Sequence, residues 1–303
     1  SSKDQLRYGP KGCTGPRAKK FKEESRMRNL KRALSLALAS VMVMGLMVVG
    51  SGASYVDVSS ENNVEAIEVL QKVGIMVGDE NGKFNPEAKV TRNEMAVIMA
   101  NLMDYRVSNY KGTSPFTDVP AWAEPYVAAC YTNGIVSGYD AKTFGGNDSV
   151  ATSQAALMLM KALGYFQYQS DFEDDWQLAT IKQANKIDLF DDVASNVKEA
   201  MTRNDVAQLV LNALKSGTVE ANDDTIKVTT GGTTVEAGKV QYEYISSTKS
   251  YATAIDDAMA ISSTSTSTRG SIVELGEKLF SNLKLNSDTD IDVGINNLLA
   301  TVN

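Results

Sequence analysis

Gly82-Lys83-Phe84-Asn85-Pro86, followed after a short gap by Val90-Thr91-Arg92-Asn93-Glu94, is the stretch that decides how this sequence folds. Thr91 and Glu94 stand at capping-box spacing, immediately ahead of Met95, Ile98, Met99 and Leu102 at i, i+3, i+4 and i+7. The pattern predicts an amphipathic helix opened by a threonine that accepts from a first-turn amide, with the glutamate reaching back to the cap's own N–H. Upstream, Tyr55-Val56-Asp57-Val58 leads into Val64, Ile67, Leu70 and Val73, recurring at threes, with Ala66 and Val69 beside them. Val73-Gly74-Ile75-Met76-Val77-Gly78 then closes that run. The whole reads as helix, loop, helix.

The same order returns twice. Phe116-Thr117-Asp118-Val119 precedes a helical stretch containing Trp122, then Asn133-Gly134-Ile135-Val136-Ser137-Gly138, Thr143-Phe144-Gly145-Gly146, and Val150 before a run with Leu157, Met160, Ala162 and Leu163. A looser copy has Phe172-Glu173-Asp174, Trp176, Asn185-Lys186-Ile187-Asp188-Leu189-Phe190 and Met201-Thr202-Arg203-Asn204-Asp205, leading to Val206, Leu209, Val210 and Leu214. A pair of short helices cannot bury its own apolar stripe, whereas three pairs can share one core. The segments divide at 54–108, 109–168 and 169–216, and the fold class expected is mainly α. Past Lys215-Ser216-Gly217, the alternation over 225–228 and 235–244 around Gly231-Gly232 predicts a β-hairpin. A Ser/Thr tract at 262–268 reads as a linker, and Ile272, Leu275, Leu279 and Leu283 as one more helix, so 217–303 is a small mixed segment. It shows no closing element, which fits a chain that continues in a longer protein.

Charge is uneven. Of 30 Lys and Arg and 37 Asp and Glu, residues 1–53 hold 11 and 3, leaving 19 and 34, a formal net of −15, for the remainder. That balance offers no basic face to a nucleic acid. Residues 27–32 are basic, 33–49 are uncharged and apolar, and Ser51-Gly52-Ala53 sets small residues before Ser54, the order of a secretory signal peptide over 27–53. The rival is a retained anchor, since a run of ~17 apolar residues sits at the lower edge of what spans a bilayer. Residues 1–26 are polar and aperiodic and read as upstream sequence ahead of Met27. Without histidine, the chain lacks the commonest neutral-pH base and metal ligand. If Cys13 leaves with the leader, Cys130 has no disulfide partner and reads as a small buried side chain. No cofactor or metal site is expected. Asp79-Glu80-Asn81-Gly82 lacks the later acids of a calcium loop. The acids at 171–175 read as a solvated loop biased to a helix start, and no nucleophile elbow, phosphate loop or dinucleotide fingerprint is present.

The capping box requires its threonine and acid but not its arginine. Arg92 and Arg203 sit at the positive end of a helix dipole, where a cation is mildly unfavourable. Two readings stay open: a solvated arginine beside a cap, or an arginine that joins free helix-start amides in holding a carboxylate or phosphate. Trp122 likewise reads either as half-buried packing or as a stacking residue.

Taken together, Phe-x-Asp-Val, Gly-Ile-x-x-Gly, Gly-x-Phe-x-Pro and Thr-Arg-x-Glu over 55–215 resemble the S-layer homology repeat of bacterial surface proteins. The resemblance implies a pseudo-threefold helical bundle whose grooves bind a secondary cell-wall polymer, an anionic and often pyruvylated glycan. It thereby implies non-covalent attachment of a secreted protein to the wall or S-layer, with self-association in a lattice as a further partner. It implies that Arg92 and Arg203 pair with the ligand's carboxylate and that Asp57, Asp118 and Trp122 shape the groove, with Thr91 and Thr202 at the helix starts and Glu94 and Asp205 supporting them. Ala151-Thr152-Ser153-Gln154 stands where Thr-Arg-x-Glu is expected, and Lys186 and Phe190 stand at the two glycines of the third copy. At most two competent grooves are therefore expected. The chain is expected to be an anchor and not an enzyme, and the alternative is the tether of an extracellular hydrolase.

Overall fold

A computed structural model describes residues 55–222, 227–230, 233–236, 241–245, 273–280 and 283. The leader read at 27–53 and the tract at 262–268 lie outside them. The fold is mainly α, with two small two-stranded sheets. Among the described residues no helix is long and apolar enough to cross a membrane.

Six helices make the body: α1 Val64–Lys72, α2 Arg92–Leu102, α3 Glu124–Thr132, α4 Thr152–Leu163, α5 Trp176–Lys186 and α6 Arg203–Lys215. Their apolar stripes form one core. Ile67, Leu70, Met95, Met99, Leu159, Met160, Leu209 and Val210 are all sealed from water. At ~25 cal/mol per Å² of apolar area, this shared burial is the dominant favourable contribution, and no single helix pair supplies it.

The packing partners differ from the sequence pairs. The second helix of one copy lies against the first helix of the next, as α2 on α3, α4 on α5, and α6 back on α1. The last of these joins the third copy to the first and closes the set. A second closure forms in the short extended segments ahead of α2, α4 and α6. The Val90 N–H donates to the Met201 carbonyl (3.0 Å), Met201 N–H to Val150 (3.0 Å) and Val150 N–H to Val90 (2.8 Å). All three side chains are buried, so these backbone groups find partners in one another and not in water.

The third copy keeps the loop geometry by another residue. Gly74 and Gly134 take positive φ where the chain leaves α1 and α3. The equivalent bond after α5, Leu189 N–H to the Ala184 carbonyl, places Asp188 (φ 56°) at that position. The glycine was therefore not replaced by Lys186, because α5 runs longer before it turns. Aspartate tolerates the left-handed region better than most residues.

The hairpin expectation also needs amending. β2 Lys227–Thr230 pairs with β3 Thr233–Glu236, but 241–244 is a separate strand, β4 Gln241–Tyr244, paired with β1 Val219–Asn222. Tyr242 of β4 is fully buried, its ring 5.7 Å from that of Tyr165. Its hydroxyl accepts from Gln167 N–H (2.9 Å) and donates to Asp171 Oδ2 (2.5 Å). The terminal helix is only a short α7, Leu275–Leu279.

Candidate functional site

The three helix starts, α2, α4 and α6, are the places where neighbouring copies meet. In each, the first two amides donate to carbonyls of the next copy's loop. Arg92 and Asn93 N–H reach Asp148 and Gly146, Thr152 and Ser153 reach Glu199 and Val197, and Arg203 and Asn204 reach Ala88 and Pro86. These bonds run from 2.9 to 3.0 Å. The third amide is taken as well, by Thr91 Oγ1 in α2, by Thr202 Oγ1 in α6 and by the Ala151 carbonyl in α4. The expectation of free helix-start amides is thus corrected: they hold the copies together.

The two capping motifs are not alike. In α2 the box is complete, since Glu94 Oε2 accepts from Thr91 N–H at 2.7 Å. In α6 the shorter Asp205 instead turns to Ser195, accepting from its N–H (2.9 Å) and its hydroxyl. One methylene fewer decides which neighbour the carboxylate can reach.

Both arginines cross to the next copy. Arg92 Nε donates to the Phe144 carbonyl (3.1 Å) and Nη2 to Ser137 (2.8 Å), with its guanidinium carbon 4.7 Å from the Phe144 ring centre. Arg203 repeats this on the first copy: Nε to Phe84 (2.7 Å), Nη2 to Val77 (2.9 Å), and 4.6 Å over the Phe84 ring. A cation on a ring face, with two directed bonds, is a firm tie. Arg92 is only 4% exposed, so the reading of a solvated arginine is also corrected. Burial pushes both guanidinium pKa values down, opposed at Arg92 by Tyr139, Asp148 and Asp118, and at Arg203 by Glu94, Tyr55, Asp57 and Asp79. Neither loses its proton near neutral pH. Nη1 of each has no protein acceptor among the described residues.

Asp57 and Asp118 complete the chain of contacts. Asp57 accepts from Phe84 and Asn85 N–H (2.8 and 2.7 Å), and Asp118 from Phe144 and Gly145 N–H (both 2.8 Å). At Asp118 desolvation raises the carboxyl pKa, but the two amide bonds outweigh it and the net shift is down. Each aspartate thus fixes the loop whose carbonyl receives the arginine. Trp122 is half-buried and packs against the core. Each arginine corner therefore gathers one arginine, one aspartate, one phenylalanine and one threonine cap.

Sequence reasoning missed the roles of Phe84 and Phe144, of Tyr139 and of the loop carbonyls. The phenylalanines were visible as repeated positions, but their arginine partners belong to a different copy. The corner at Thr152 has no arginine and no phenylalanine: Thr152 is buried, Ser195 occupies the place of Phe84 and Phe144, and its N–H donates to Asp205 as theirs do to Asp57 and Asp118.

Residues 54–96 and 115–151 match the S-layer homology domain. The match is confined to these two stretches and does not extend to 169–216. It is similar to the Surface-layer 125 kDa protein of Lysinibacillus sphaericus, 30% identical over 205 residues that make up 63% of this chain and 17% of that protein. It is also similar to the Middle cell wall protein of Brevibacillus brevis, 25% identical over 195 residues, 63% of this chain and 18% of the relative. A third relative, the Endoglucanase of Bacillus sp. (strain KSM-635), is 24% identical over 176 residues, 52% of this chain and 18% of the enzyme. The chain thus spans less than a fifth of the length of these relatives.

Proposed function

We propose that residues 55–216 attach the protein non-covalently to the bacterial cell wall by binding an anionic secondary wall polysaccharide, with the three copies set about a pseudo-threefold axis. The closed ring through Val90, Val150 and Met201 supports that arrangement. The observation that carries the function is the pair of corners at Arg92 and Arg203. In each, a fixed guanidinium keeps an Nη1 that no described residue accepts from, ready to bond a carboxylate such as that of a pyruvylated sugar. Asp57, Asp118, Thr91 and Thr202 hold the loops and helix starts around that group, Glu94 and Asp205 brace the starts from behind, and Trp122 lines the groove wall. The protein is exported, resides at the wall or S-layer, and has the wall glycan as its partner, alongside further copies of itself in a surface lattice.

Binding of the full chain to purified wall polysaccharide tests this. Arg92→Ala should weaken binding by ~2 kcal/mol, as expected for a charged hydrogen bond. Unchanged affinity in the Arg92→Ala, Arg203→Ala double variant would sink the proposal. A second reading, the tether of an extracellular hydrolase, is favoured by the likeness to a protein named Endoglucanase. Release of reducing sugar from carboxymethylcellulose by the full chain would establish it.

A further inference from the structure

Arg92 and Arg203 share a scaffold, but different residues cover them. In the second copy Tyr139 follows Gly138, and its ring centre lies 4.8 Å from the Arg92 guanidinium carbon. Phe144 occupies a second side at 4.7 Å, so the cation is flanked by two rings. Tyr139 itself is 54% exposed while the arginine it covers is 4% exposed, so solvent meets the ring first. Gly145, at φ +71°, is what lets the ring lie there, because a Cβ built on it would clash with Tyr139. In the first copy both positions change together. Asp79 replaces Tyr139 and Asn85 replaces Gly145, and Asp79 Oδ2 accepts from Asn85 Nδ2 at 3.1 Å. The Arg203 corner thus has Glu94, Asp57 and Asp79 around its cation and no exposed ring among the described residues, where the Arg92 corner has Asp118, Asp148 and the exposed Tyr139.

We infer that Tyr139 is the specificity-determining residue of the Arg92 corner, a platform on which a pyranose ring of the wall glycan stacks while its anionic substituent reaches Arg92. An exposed aromatic face beside a desolvated cation offers both the apolar and the charged contact that an acidic sugar presents. The Arg203 corner, with Asp79 beside Asp57, repels an anion more and offers no stacking face, so it contributes less. The inference rests on the wall-binding reading above and assigns unequal roles to its two corners.

The test uses the full chain and secondary wall polysaccharide released from the producing organism's own peptidoglycan. Tyr139→Asp, which installs the first copy's residue, should weaken binding about tenfold or more, whereas Tyr139→Trp should stay within about threefold of the parent. Adding polymer should shift the tryptophan fluorescence of Tyr139→Trp beyond the change seen in the parent, whose Trp122 and Trp176 set the baseline, and equal changes in the two proteins would count against the platform. Thermal melting checks that both variants fold. Loss of affinity in Arg92→Ala alongside undiminished binding by Tyr139→Asp would overturn the assignment and leave the wall-binding reading standing. Unchanged binding by the Arg92→Ala, Arg203→Ala double variant would remove both.

Discussion

The corner at Arg92 and the corner at Thr152 use the same backbone plan with opposite contents. In both, the first two amides of a second helix donate to the next copy's loop, and the residue two positions before the helix joins the central ring. At Arg92 a guanidinium, two aromatic rings and an aspartate fill the space around that plan. At Thr152 the side chain is a buried threonine, its hydroxyl 3.4 Å from the Glu199 carbonyl, and Ser195 stands in for the phenylalanine. The ring closes equally well in both places. Closure of the backbone ring therefore does not require an arginine or a phenylalanine at the corner, while at Arg92 and Arg203 these side chains add a further tie between copies.

The largest effect that sharpens this comparison is on the rings. Phe144→Ala and Phe84→Ala should each cost about 3–5 kcal/mol in chemical denaturation, since both are fully buried and support an arginine. A loss below about 1 kcal/mol would show that the rings are not structural supports of the arginine corners. The reverse exchange comes next. Thr152→Arg should cost about 1–3 kcal/mol through overpacking and should add no glycan affinity, because Ser195 stands there in place of the ring and the Asp191 carbonyl is already taken by Asn212. A stable variant with tighter binding would mean that the scaffold alone makes a corner competent.

The smallest effect lies past the C-terminal end of α4, where β4 docks. Burial raises the Asp171 carboxyl pKa against the opposing bonds from Tyr242 and the Tyr168 amide. The folded state therefore holds this proton more tightly than the unfolded chain does. The stability it brings is full below about pH 3.9 and fades as pH rises through the raised native value. Asp171→Asn, which stays neutral, should flatten that part of the stability curve. Identical curves for variant and parent would show that another group sets the slope.

Much of this was legible in the residues. The i, i+3, i+4 recurrence located the helices, because a helix must present one apolar face to a core. The Thr91–Glu94 spacing located the start of α2 and its cap. The third copy was legible only in part. Asp188 does a glycine's work after a longer helix, and no residue-type pattern announces a left-handed aspartate. Gly231-Gly232 marked the boundary between β2 and β3, yet nothing local revealed that 241–244 pairs with β1 across intervening chain.

What the sequence determined by itself was periodicity, caps and the order of three copies, all of which arise from neighbours within about one helical turn. Tertiary structure alone decided that α6 returns to α1, that each arginine serves the next copy's loop, and that the helix-start amides are consumed in doing so. Those contacts join residues such as Arg203 and Phe84, 119 positions apart. They exist because buried amides and cations must find partners wherever the closed core brings acceptors within reach.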